Sequence, residues 1–202
     1  MEKVIIRKYS ESDEDNWVKC YLHSYSSSIY INAMEETKPR YETPSIQLIA
    51  EKNQNILGIL DVIFEEVPGQ LDLDPEQRSG IITVLGVLPS YRRTGIALNL
   101  LEKAELILNN SYKVGRCEVW SREDSVLDNF WSKLKYLCID HYYEVYYSND
   151  LFERFNIDLP YEITPQSFIA SVNSHSFSKL VRDFPPERSF KIKIWEKNLV
   201  SL

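Results

Sequence analysis

The sequence has only three cysteines, Cys20, Cys117 and Cys138. An odd number at wide spacing excludes a disulfide framework, and no Cys/His spacing fits a metal site. Buried thiols in a cytoplasmic protein are the expectation. There is no run of about 18 apolar residues, so no membrane span is expected. Met1-Glu2-Lys3 opens without the apolar core of a signal peptide. Positive charge is short as well: 23 Lys and Arg face 30 Asp and Glu, a net charge of −7. That argues against a nucleic-acid partner, which needs a basic surface. It mildly favours a cationic partner such as an amine or polyamine. Glycine is scarce at six residues; the P-loop pattern is absent, and Gly86 and Gly95 stand too far apart for a dinucleotide fingerprint. His23, His141 and His175 have no Ser/Asp or Cys partner pattern for nucleophilic catalysis. Internal repeats and low-complexity segments are absent too. The chain length suits one domain with a small appended part.

What is present centres on residues 81–97. Ile81 to Leu88 has the length and β-branched content of a buried strand. Pro89 stops it, having no N–H for the ladder. After Gly95, apolar residues recur at Ile96, Ala97, Leu100, Leu101, Ala104, Ile107 and Leu108, which is helical spacing. The unit is therefore strand, basic turn, helix N-terminus. The first helical N–H groups lack internal partners and carry the positive end of the dipole. Gly95 lets an anion approach the backbone, and Arg92 and Arg93 add forked donors. Together they suit a phosphate or pyrophosphate.

The segment Arg92-Arg93-Thr94-Gly95-Ile96-Ala97 resembles the acetyl-CoA motif of the GNAT N-acetyltransferases, Arg/Gln-x-x-Gly-x-Gly/Ala. Val87-Leu88-Pro89-Ser90-Tyr91 is similar to that family's Val-x-Pro-x-Tyr lead-in. The resemblance implies a mixed, mostly antiparallel twisted α/β sheet flanked by helices, the acyl-CoA N-acyltransferase fold. It implies acetyl transfer from acetyl-CoA, a cosubstrate, to a primary amine of a small molecule or peptide, with no metal. Arg92, Arg93 and the N–H groups of Thr94, Gly95, Ile96 and Ala97 would hold the pyrophosphate. Leu85 and Val87 would bond the pantetheine amides as an added strand does, and the Leu85 N–H would polarise the thioester carbonyl.

Ser121 to Tyr136 resembles the family's second cofactor segment, placing Asp124 at its Asn and Trp131 at its Tyr. That Tyr serves in the family as general acid; an indole N–H donates a hydrogen bond but not a proton. The face shared by Ile81, Thr83 and Leu85 holds no carboxylate where some members carry a base. Two readings stay open: a transferase relying on positioning, the Leu85 donor and a residue from elsewhere, or a non-catalytic acyl-CoA-binding module.

The remaining elements follow from pattern. Val4 to Tyr9 reads as a strand, Ser12-x-x-Asp15 as a capping box, and Trp17, Val18, Tyr21, Leu22 and Tyr25 as a helical stripe. A short helix is expected over Ser28–Glu36, and Thr94 is a candidate cap for the central helix. Tyr25, Tyr30 and Tyr41 are candidate walls of the acceptor cleft, or half-buried packing residues. Ser45–Glu51 and Ile56–Phe64 form a hairpin about Lys52-Asn53-Gln54-Asn55. Residues 65–78 make a polar loop, a lid or a solvated surface. Strands are expected over Gly115–Ser121 and Leu137–Tyr147. Residues 1–147 form the core, 148–188 a helical insertion, and 189–202 a closing strand and tail. A homodimer remains open as an assembly.

Overall fold

The short-range patterns set down most elements within a residue or two of the expected ends. The computed structural model describes residues 3–26, 37–71, 73–146, 152–155 and 188–200. The helix expected over Ser28–Glu36, Tyr30 with it, and most of residues 148–188 lie outside the described residues. The elements are β1 (Ile5–Lys8), α1 (Glu14–Tyr25), β2 (Ser45–Lys52), β3 (Asn55–Phe64), β4 (Ser79–Val87) and α2 (Ile96–Tyr112). They continue with β5 (Arg116–Arg122), α3 (Ser125–Lys133), β6 (Leu137–Tyr146), β7 (Phe152–Phe155) and β8 (Arg188–Asn198). The fold is mixed α/β, as expected; β1–β2, β2–β3, β3–β4 and β6–β7 pair antiparallel, and β4–β5 pairs parallel. β7 is a strand inside the stretch expected to be a helical insertion.

Two compact units are present. The first holds Met1–Val119 and Glu196–Leu202; the second holds Trp120–Trp195.

In the first unit the strand order is β1-β2-β3-β4-β5. The β2–β3 hairpin turns at Asn53 and Gln54, with φ of 51° and 64°; such a two-residue left-handed turn matches the twist of the strands it joins. α1 packs Trp17, Cys20 and Tyr21 against Ile49, Ile59 and Val84. α2 buries Ile96, Leu100, Leu101, Ala104 and Leu108. Its Ile96 and Leu100 lie against Gly58 of β3 and its Leu108 against Gly80 of β4. Between β3 and β4 the register slips by one: Asp61 pairs with Val84 but Val62 with Ile82, leaving Thr83 as a bulge.

The residues 65–78 loop is not a solvated run of acids at its root. Glu65 is fully buried, and its two oxygens accept the N–H groups of Leu71 and Ser79 at 2.8 Å each. The loop's two ends are stapled by one carboxylate.

The start of α1 differs from the expected Ser12–Asp15 box. A 3₁₀ turn at Glu11–Asp13 precedes the helix, and Asp13 accepts the Ser10 N–H at 2.9 Å. Arg7 also grips Asp13 through two nitrogens, at 2.7 and 2.8 Å. The Arg7 hydrogen bonds hold the Asp13 carboxyl well below the usual carboxylate range. A depressed folded pKa stabilises above the unfolded value, near pH 4, and is lost as pH falls through the lower folded value. Arg7→Gln is expected to cost about 1 kcal/mol at neutral pH, the pair being partly screened by solvent. Denaturant titrations of the two proteins should converge in acid; a gap that persists there would assign the loss to packing.

In the second unit the strand order is β8-β6-β7. Trp195 donates to Ser121 Oγ at 3.0 Å, and Lys193 bonds Asp128 at 2.6 Å. All three cysteines are free; Cys20 and Cys117 are buried as expected, whereas Cys138 is exposed. Burial pushes the Cys20 thiol up to about 11. Cys138 breaks the expectation because β6 leaves Leu137, Cys138 and Ile139 all accessible.

Candidate functional site

β4 leaves one of its edges open. Its parallel ladder to β5 runs from Ser79–Arg116 to Ile82–Val119 and ends. Further along, the Leu88 N–H donates to the Leu57 carbonyl of the β3 arm at 2.9 Å. Alternation along the strand turns Val84 and Gly86 the same way, and turns the N–H and C=O groups of Leu85 and Val87 away from β3. These are the two backbone positions the sequence singles out.

The Leu85 edge is occupied by a side chain. Tyr25, the last residue of α1, accepts the Leu85 N–H at 3.2 Å and donates to the Leu85 C=O at 3.1 Å. One hydroxyl thus does what a neighbouring strand residue would do. The Val87 carbonyl accepts from Arg92 Nε at 3.3 Å.

The corner after β4 is built for an open approach. Pro89–Tyr91 makes a 3₁₀ turn, then Arg93 and Gly95 take φ of 63° and 87°. Gly95 is the N-cap of α2, and no side chain caps that helix. The expected cap is not formed: the Thr94 hydroxyl donates backward to the Tyr91 carbonyl at 2.6 Å. The leading N–H groups at Ile96 and Ala97 therefore keep no side-chain acceptor. A Cβ built at Gly95 would meet nothing within 4 Å. Ile96 is buried and anchors the corner, while Arg92, Arg93, Thr94 and Gly95 are exposed.

The two arginines do different work. Arg93 makes no hydrogen bond or ion pair with the described residues. Arg92 Nη2 donates to the Ser24 carbonyl at 2.7 Å, beside its Nε bond to Val87. Arg92 ties the end of α1 to the end of β4. The sequence pattern cannot show this division, because Ser24 lies 68 positions away.

Asp124 and Trp131 belong to the second unit, and both are engaged there. Asp124 caps α3, accepting the N–H groups of Val126 and Leu127 at 2.8 and 3.0 Å. Trp131 is buried to 3% exposure and sits edge-on to Tyr136, ring centroids 5.2 Å apart. Its indole N–H has no hydrogen-bond partner among the described residues.

A buried charge pair lies under β4 and has no counterpart in the sequence reading. Asp61 is inaccessible, and Lys38 reaches its Oδ2 at 2.6 Å. The ammonium sits 4.3 Å from the Trp17 ring centroid and 4.7 Å from that of Tyr9. Tyr41 donates to the same Oδ2 at 3.1 Å and lies 3.0 Å from Thr83 Oγ1. Burial pushes the Asp61 carboxyl up, against the pull of Lys38. Burial, then the Asp61 charge, also raises the Tyr41 phenol. Of the expected cleft tyrosines, Tyr25 and Tyr41 both touch β4. A lone Asp inside the apolar strand Asn55–Phe64 is the signal that a buried partner exists. An open groove of about 370 Å³ between Tyr9, Arg40, Gln47 and Tyr112 shares no residue with the Leu85 edge or the Gly95 corner.

Residues 8–133 match the Acetyltransferase (GNAT) family. The chain belongs to that family. No curated protein matches the sequence. Solved structures with the same fold include NAA60 of Arabidopsis thaliana in complex with a bisubstrate analogue. It is 10% identical with a TM-score of 0.61, over 97% of this chain and 98% of that one. An N-acetyltransferase from Staphylococcus aureus Mu50 is 12% identical, TM-score 0.59, over 98% and 99%. The PaiA N-acetyltransferase of Thermoplasma acidophilum, in complex with coenzyme A, is 15% identical, TM-score 0.54, over 77% and 100%. At these identities the likeness is one of fold. In this GNAT chain the open β4 edge and the uncapped α2 corner fall inside the matched span.

Proposed function

We propose that the protein transfers an acetyl group from acetyl-CoA to a primary amine of a small molecule or peptide. The observation that carries this reading is the outward-facing backbone of Leu85 and Val87 followed directly by the uncapped, open Gly95 corner. An amide-bearing arm bonds as a strand to the first, and a diphosphate sits on the second. The residues present therefore fit the coenzyme.

When bound, acetyl-CoA supplies an electrophilic thioester carbonyl and a thiol leaving group. Arg93 and the N–H groups of Thr94 to Ala97 hold the pyrophosphate, and Arg92 holds the corner in register with α1. The Val87 N–H pairs with the pantetheine arm. The Leu85 N–H faces the thioester carbonyl and stabilises negative charge developing on its oxygen. Holding the amine against the carbonyl supplies much of the rate, since oriented reactants gain effective concentration. The acidic balance of the chain favours a cationic acceptor.

Calorimetric titration with CoA tests the coenzyme site. Arg93→Glu is expected to weaken CoA about 10- to 30-fold, replacing an attractive charge by a repulsive one, with the unfolding midpoint unchanged. Equal affinity in the variant would remove Arg93 from the site. A thiol-release screen against spermidine, an aminoglycoside and a free-N-terminal tripeptide then separates a transferase from an acyl-CoA-binding module. The module binds CoA and releases no thiol with any of them.

A further inference from the structure

The Trp131 indole cannot protonate a leaving thiolate, and none of Ile81, Thr83 and Leu85 carries an ionisable group; the slip at Thr83 also turns Leu85 to the opposite face from Ile81, against the shared face expected. The proton donor must come from another element. The geometry points to Tyr25: we propose that its hydroxyl is the general acid that protonates the departing coenzyme thiolate. This rests on the acetyl-transfer reading above.

Tyr25 Oη already sits on the atom that matters. It lies 3.2 Å from the Leu85 nitrogen, where the thioester carbonyl oxygen belongs in that reading. A carbonyl taking this amide moves the phenol aside by about one hydrogen-bond length, ~3 Å. The sulfur is bonded to the same carbon as that oxygen, so the displaced hydroxyl remains beside it.

The placement is built rather than incidental. A Cβ at Gly86 would lie 3.2 Å from Tyr25 Cε2 and 3.1 Å from Ser24 Cβ. The missing side chain lets the end of α1 ride directly over β4. Arg92 holds the Ser24 carbonyl at 2.7 Å, one residue before the phenol. The Tyr21 ring lies tilted against that of Tyr25, at 39° with 4.8 Å between centroids, and limits the directions in which Tyr25 can swing. Three separate contacts thus aim one half-buried hydroxyl at one backbone amide.

The chemistry balances. The amine nitrogen forms a C–N bond to the carbonyl carbon, and the C–S bond breaks. Tyr25 gives its proton to the sulfur, and its phenolate takes a proton from the nitrogen. The products are the amide and the free thiol, and Tyr25 returns to its starting form. Before the coenzyme binds, the same hydroxyl fills both hydrogen bonds of the Leu85 edge, so the amide is not left without a partner in its absence.

Tyr25→Phe removes only the hydroxyl. With acetyl-CoA and the fastest of the three amines above, kcat is expected to fall about 100-fold, the lower range for a general acid. CoA affinity in the same preparation should stay within about threefold, because no coenzyme contact is lost and one competitor for Leu85 is gone. Thiol release by the wild type with a variant kcat within about threefold overturns the proposal alone. So does a loss confined to CoA affinity, which would make Tyr25 a binding residue. No thiol release by the wild type with any amine overturns the transferase reading, and this proposal with it.

Discussion

Asp61→Ala is expected to destabilise the protein by roughly 3–5 kcal/mol, the cost of leaving a buried ion without its partner. Lys38 cannot relax into water, since its side chain is 1% exposed. It would keep the Tyr9 and Trp17 rings, which attract a cation but do not neutralise it. The Tyr41 hydroxyl would lose an acceptor at the same time. Chemical denaturation should show the loss as a lowered midpoint. The paired change Lys38→Met with Asp61→Leu is expected to restore most of it, because a buried pair replaced by packed apolar groups is often neutral or better. A double variant as unstable as the single would mean that the pair also holds the Tyr41–Thr83 contact in a way packing cannot replace.

Gly95→Val should abolish most coenzyme binding, lowering CoA affinity by about 100-fold or more, or near 2.7 kcal/mol. Two effects add. At φ of 87° a β-branched residue is strained by roughly 1–3 kcal/mol, so the corner itself distorts. The new methyls also project into the space left open above the α2 N-terminus, where the diphosphate would approach. Gly95→Asn separates the two, since asparagine tolerates the left-handed region. Calorimetry on the Asn variant is expected to show a protein of near-normal stability that still binds CoA weakly. Normal affinity in that variant would place the anion elsewhere.

The strand–corner–helix unit was readable because its signals are local. Pro89 ends β4, Gly95 takes the left-handed turn, and the apolar spacing after it is helical. The hairpin about Asn53 and Gln54 was readable for the same reason. What escaped is long-range. Lys38 and Asp61 are 23 positions apart, and Tyr25 and Leu85 are 60 apart; neither spacing belongs to a helix or strand. The capping contact fell two residues early because Arg7, on β1, pulls Asp13 rather than Asp15 into place. Arg92 has the right identity for an anion ligand, yet α1 presents a carbonyl to it first. Residue type fixed what each group can bond, and the topology decided which bond it makes.

The single extra residue at Thr83 acts as a phase switch. Before it, Ser79 turns its carbonyl to the Glu65 N–H on the β3 side, at 3.0 Å, and Ile81 follows in step. Strict alternation would carry Thr83, Leu85 and Val87 to that same side and seal them there. The slip between Asp61 and Val62 inverts the beat, so the odd-numbered amides emerge on the vacant flank. Inserting one residue between Asp61 and Val62, opposite Thr83, would regularise the ladder, turn the Leu85 and Val87 amides back toward β3 and silence the strand as a docking edge.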